Sequence, residues 1–211
     1  VWNCPADFNP LDGTHPSATG SMKVASRLFN FFSTDETTKP WFLKNLTVYL
    51  TIGIQGIFNT NTTLSNIIDT VSLTLRRSVP PFNIFSTTRA AIDSVSLKGI
   101  YKFYDLPSTS YYLQIQHRNS IETWSSAGVS FTPGSITNYD FTTLSSQSYG
   151  SNLKLKGTKW CIYSGDVLRN GSVELSDVLE VYNKSSAFTT GYVNTDVNGD
   201  NIVDLSDITI T

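Results

Sequence analysis

Charge is scarce in this sequence. Of 211 residues only 15% are charged, with 15 Lys and Arg against 17 Asp and Glu, for a formal net charge of -2. That balance leaves no electrostatic footprint for nucleic acid or an anionic membrane surface, so neither is an expected partner. Long apolar runs are missing too. The longest candidate, Val48 to Phe58, falls short of the roughly 18 residues a transmembrane helix needs, so no membrane span is expected. Ionisable groups are few: two His, and Glu only at Glu36, Glu122, Glu174 and Glu180. No GxSxG, HExxH or P-loop pattern appears, so nucleophile, zinc and nucleotide chemistry lack a motif and no enzyme is expected. Glu122 has no evident partner for a glycosidase pair.

Cysteine is reduced to two residues, Cys4 and Cys161. In an oxidising compartment they have one intramolecular pairing available, and that disulfide would close a very long loop; the alternative is free, buried thiols. The chain starts at Val1 and carries no leader pattern, which fits a mature secreted protein.

What is present is alternation. From Leu46, Val48, Leu50, Ile52, Ile54 and Phe58 fall on one face and Tyr49, Thr51, Gln55 and Asn59 on the other, the period of a half-buried strand. The pattern recurs in Val71, Leu73, Leu75 and in Tyr111, Leu113, Ile115, with Tyr101, Phe103 and Tyr139, Phe141 marking shorter strands. Turn signals such as Val79-Pro80-Pro81 and Thr132-Pro133-Gly134 separate them, predicting a mainly β chain built as an antiparallel β-sandwich. Residues 1–45, with an apolar patch at Leu28, Phe29, Phe31 and Phe32, form an arm of no assigned role. The sandwich spans 46–145, a connector 146–164, and a small module 165–211.

The stretch from Asp69 to Ser125, through DTVSLTLR, KGIYKFYDLP and YYLQIQHRNSIETWS, resembles the prealbumin-like, carboxypeptidase-regulatory-like modules of secreted bacterial proteins. That resemblance covers about a quarter of the chain and implies a non-catalytic spacer or binding module. Within it, Arg118 is expected to pair with Glu122 over Trp124 as a structural corner. Exposed Trp and Tyr leave carbohydrate binding open.

The densest chemistry lies at the C-terminus. Asp196, Asn198, Asp200, Asp204 and Asp207 occupy positions 1, 3, 5, 9 and 12 of a twelve-residue loop, with the Ile202 carbonyl at position 7. Calcium is a hard cation wanting six to eight oxygens, and this spacing lets one short loop wrap it. Position 6 calls for a left-handed residue, and Asn201 tolerates that conformation. A second copy lies 30 residues upstream: Asp166, Asn170, Glu174 and Asp177 at positions 1, 5, 9 and 12, Gly171 at 6 and the Ser172 carbonyl at 7. Leu168 at its position 3 removes one oxygen, so two Ca2+ sites are expected, the first weaker than the second.

Each loop leads into a helical pattern: Leu175, Val178, Leu179 and Tyr182 make an i, i+3, i+4, i+7 stripe, and Leu205 with Ile208 begins a matching one. Two such loops, each closing on Asp and followed by a short helix, resemble a type I dockerin module. The resemblance implies contacts to a cohesin-like partner from loop positions 10 and 11, here Leu175-Ser176 and Leu205-Ser206. The expected function is a secreted, calcium-stabilised structural protein of extracellular assembly, a surface or filament subunit pairing with copies of itself. The alternative is an accessory module of a polysaccharide-degrading complex.

Overall fold

The computed structural model describes residues 6–211, which fall into two units dividing after Asn45. In the first, α1 (Ala18–Thr34) starts where the Ser17 side chain accepts a hydrogen bond from the Gly20 amide, a standard N-cap. It stops at Asp35, whose backbone turns extended. A single turn, α2 (Lys39–Phe42), follows, and Phe42 stacks on Phe32 with ring centroids 4.1 Å apart. The 17-residue helix was not anticipated: its apolar residues do not keep one narrow stripe, and Met22, Leu28, Phe29 and Phe31 stay exposed.

The second unit, Leu46–Thr211, is mainly β. Its strands are β1 (Asn45–Thr51), β2 (Gly53–Ile54), β3 (Phe58–Asn59), β4 (Leu64–Ser65), β5 (Asp69–Arg77), β6 (Ile84–Ile92) and β7 (Lys98–Tyr104). They continue as β8 (Ser110–Gln116), β9 (Thr123–Trp124), β10 (Val129–Ser130), β11 (Ile136–Asp140), β12 (Lys154–Lys156) and β13 (Lys159–Ile162). One sheet runs β10-β8-β5-β6, with β9 also on β8, and another runs β11-β1-β7. Inward residues of both sheets share one core, including Val48, Leu50, Val71, Leu73, Tyr101, Leu113 and Ile115, the arrangement of a β-sandwich. The alternation seen in β1, β5, β7 and β8 is the in-and-out pleat of these strands.

Two pairings correct the expectation of an antiparallel structure. β1 runs parallel to β11, and β2 parallel to β13. Both partners are far apart in sequence, and intervening strands supply the long crossover a parallel pair requires. Strand β6 also escaped notice, because Ile84 to Ile92 does not alternate cleanly.

Cys161 lies on β13 in a small buried cluster with Phe58 and Leu97, and burial pushes its thiol up to about 12. The proposed partner Cys4 lies outside the described residues. No helix among the described residues is long and apolar enough to cross a membrane.

Candidate metal centre

After β13 the chain leaves the sheets and builds loop 166–177, α3 (Leu175–Ser186), loop 196–207 and α4 (Leu205–Ile208). The loops repeat one hydrogen-bond scheme. At position 1, Asp166 accepts from the Asn170 and Gly171 amides, and Asp196 accepts from the equivalent Asp200 and Asn201 amides. At position 5, Asn170 accepts from Ser172 N and Asp200 from Ile202 N. At position 12, Asp177 splits its carboxylate between Leu168 N and Glu174 N, and Asp207 does the same for Asn198 N and Asp204 N. The last bond in each set closes a capping box on the following helix. Both loops bury positions 1 and 12 and leave 5, 7 and 9 exposed. Arg169 and Gly171 in the first loop, and Gly199 and Asn201 in the second, take positive φ, as the tight turn demands.

The donor set of the second loop fits a hard cation. Asp196 and Asp207 are both buried, and burial raises the Asp196 pKa, a rise the Arg118 charge opposes and the nearby Asp207 adds to. A divalent ion relieves both costs. Asn198, Asp200 and Asp204 add side-chain oxygens and Ile202 a carbonyl. In the first loop the buried pair is Asp166 and Asp177, joined by Asn170, Glu174 and the Ser172 carbonyl; Leu168 contributes none. Among the described residues no three His, Cys, Asp or Glu side chains converge on one point. Shells of this type draw on amide and backbone oxygens as well as carboxylates.

The seat of the second loop is the segment His117–Ser120, where sequence reasoning placed only a corner. Arg118 does not pair with Glu122. Its Nε donates to Asp69 Oδ2 at 3.0 Å, Nη1 bonds the Val193 carbonyl, Nη2 lies 3.8 Å from Asp196 Oδ2, and Tyr192 stacks against the guanidinium at 4.6 Å. Asn119 Nδ2 donates to the Asn194 and Asp196 carbonyls. His117 Nδ1 meets Ser120 Oγ at 3.1 Å; its Nε2 stands 3.0 Å from Asp69 Oδ2 without hydrogen-bond alignment. Burial raises the Asp69 pKa, but His117, Tyr192 and Arg118 outweigh it and hold the carboxyl well below the usual range. Glu122 instead accepts from Trp124 Nε1 and Gln114 Nε2, and Arg76 covers the Trp124 ring at 5.1 Å.

The sandwich also meets the second loop by close approach. A Cβ on Gly56 would lie 2.1 Å from the Val197 carbonyl, and one on Gly199 would strike Ile57 and Ile67. These glycines are the signal sequence reasoning passed over.

The helical stripe needs correction. Val181 and Asp177 are the buried residues of α3, and Val181 packs with Val167, Val197 and Val203. Leu175, Leu179 and Tyr182 instead face solvent, at 70%, 50% and 57% exposure. The capping box turns Asp177 inward, and Leu175, Leu179 and Tyr182, on roughly the opposite side of the helix, go out with it. Leu205, equivalent to Leu175, is likewise 70% exposed, while Ser176 and Ser206 hydrogen-bond back to Glu174 and Asp204.

No protein-family model matches the chain, and no curated protein does. Solved structures similar to it at low identity include two type II cohesin–X-dockerin complexes from Acetivibrio cellulolyticus, one a C-terminal and the other an N-terminal interface mutant. Identity is 16% and 18%, each match covers 79% of this chain and 92% of that one, and the TM-score is 0.41 in both. Similarity at that level is a loose likeness of shape and assigns this chain no function.

Proposed function

We propose that this chain is a secreted, non-catalytic structural protein, stiffened by calcium in a dockerin-like module over 165–211 and engaged in extracellular protein assembly. The observation that carries the reading is the duplicated loop: the same side-chain-oxygen-to-backbone scheme at positions 1, 5 and 12, on the same oxygen-rich donor types. Bound calcium supplies charge neutralisation for the buried carboxylate pairs, and because the unfolded chain has no such site, its binding free energy becomes folding free energy. Arg118 and Asn119 tie the second loop to the sandwich, so stiffening of the loop is transmitted to the sheets.

The partner is protein, in the first instance copies of the same chain. The exposed stripe Leu175, Leu179 and Tyr182 supports this, since contiguous apolar surface rimmed by polar residues marks an interaction face. Calorimetry and thermal melts of chelator-stripped protein test the calcium reading. Added Ca2+ releases heat and stabilises the fold by about 2.7 kcal/mol per site at a hundredfold excess over Kd; no heat and no shift would overturn it. Electron microscopy with and without chelator tests assembly, and particles that stay monomeric at high concentration in calcium would count against it.

A second reading has its own support. Leu175 and Leu205 occupy equivalent exposed positions, as a partner read by either repeat requires. On that reading the chain is an accessory module of a polysaccharide-degrading complex and binds a cohesin-like domain, which a pull-down with such a domain tests.

A further inference from the structure

The outward face of the large sheet carries a feature that none of the proposed calcium ligands lines. A cavity of about 330 Å³ lies where this face meets Arg169 and Tyr192. Its floor is made by three neighbouring strands, because Ser72 on β5 is in register with Arg89 on β6 and with Gln116 on β8. Val71 and Leu73 point into the core, so by the period of the pleat Ser72 points out, and Thr70 with it.

The lining is rich in polar groups with nothing to do. Among the described residues Arg89 and Arg169 make no ion pair, and the side chains of Thr70, Ser72 and Gln116 make no hydrogen bond. Arg118 also lines the cavity, but its side chain is only 8% exposed and its Nη2 is buried 3.8 Å from Asp196 Oδ2, so it adds positive charge beneath the cavity rather than a donor within it. The nearby carboxylates are already engaged, Asp69 by Arg118, His117 and Tyr192 and Asp196 by Arg118 and the loop amides, and neither pairs with Arg89 or Arg169. Like charges gathered around a small volume repel one another, and guanidinium forks match the two oxygens of a carboxylate.

We propose that this cavity binds a small carboxylated polyol of the uronic acid class. The carboxylate sits between Arg89 and Arg169, and the hydroxyl groups meet Thr70, Ser72 and Gln116. The volume suits one sugar ring, at the small end of ligand sites.

The test is titration calorimetry on the whole chain with sodium glucuronate, glucose and sodium sulfate, in calcium and again after chelation. Glucuronate binds saturably and glucose does not. Arg89→Gln and Arg169→Gln each weaken glucuronate about tenfold or more, the loss expected for one charge-assisted hydrogen bond. Both side chains are exposed, so melting temperatures stay at the wild-type value and a folding defect is separable. The Arg89 dependence persists in chelator, which keeps this site distinct from the loops. No saturable heat, binding indifferent to both substitutions, or sulfate binding as tightly as glucuronate would each overturn the proposal.

Discussion

Loop 166–177 and loop 196–207 bond their backbones alike yet stand in different surroundings. The fourth residue of the second loop is Gly199, pressed against Ile57 and Ile67 of the sandwich. The fourth residue of the first is Arg169, exposed and bordering the cavity on the sheet. Asp196 answers to Arg118, whereas no ion pair among the described residues reaches Asp166. The oxygens at positions 1, 5 and 12 therefore set the turn, and the surroundings decide what position 4 holds. A loop seated on a sheet must give up the side chain there, while a free loop keeps it for other uses.

The largest effect comes from unseating the second loop. Asp69→Asn removes the charge that Arg118, His117 and Tyr192 share, and breaking a buried pair of this kind costs about 3–5 kcal/mol. Hydrogen exchange should then quicken in the second loop more than in the first; equal quickening would show that the seat holds both. Acid probes the same group. Because the folded Asp69 pKa is depressed, its stabilising contribution is fully present above the ordinary carboxylate value near 3.8 and is lost as pH falls below it. In Asp69→Asn that acid-dependent loss is absent.

Next come the closing carboxylates. Asp207 accepts from three backbone amides, those of Val197, Asn198 and Asp204, and Asp177 from two, those of Leu168 and Glu174. Each amide left without an acceptor costs about 1–3 kcal/mol when buried. In chelator, Asp207→Ala should exceed Asp177→Ala by at least about 1 kcal/mol in urea unfolding. Equal losses would mean that the two capping boxes contribute alike despite the extra bond.

Much of this was written in local pattern. Strands β1 and β7 alternate strictly, and the two loops close on the acidic residues whose spacing marked them, so these turns and strands were legible. What was not legible was long-range. Nothing near Val48 announces a parallel partner at Thr137, and nothing near Arg118 announces Asp196. The stripe on α3 misled because periodicity reports that a face is apolar and is silent on whether the molecule or a partner covers it. Gly56 and Gly199 carry no local mark of the close approach of sandwich and loop at those positions.

A smaller change sharpens the contrast in calcium binding. Leu168→Asn returns an oxygen to position 3 of the first loop, and affinity there should rise roughly tenfold, since ligand count tunes sites of this kind. A two-step calcium isotherm would draw towards one step. An unchanged weak step would place the deficit elsewhere in the loop.

The smallest effect comes from exchanging the sixth residues. Asn201 sits at φ 68°, close to the left-handed optimum of about +57°, so Asn201→Gly relieves little strain and adds freedom to the unfolded chain. The two terms nearly cancel, and the change should stay under about 0.5 kcal/mol. Gly171 sits at φ 91°, further from that optimum, although no atom lies within 4 Å of where its Cβ would be. The obstacle to Gly171→Asn is thus the backbone alone, at a cost of about 1 kcal/mol. Thermal melts of the two single variants should separate accordingly. If Gly171→Asn proves neutral, the exposed first loop relaxes to accept it, and the contrast between a seated and a free loop extends from side chains to backbone.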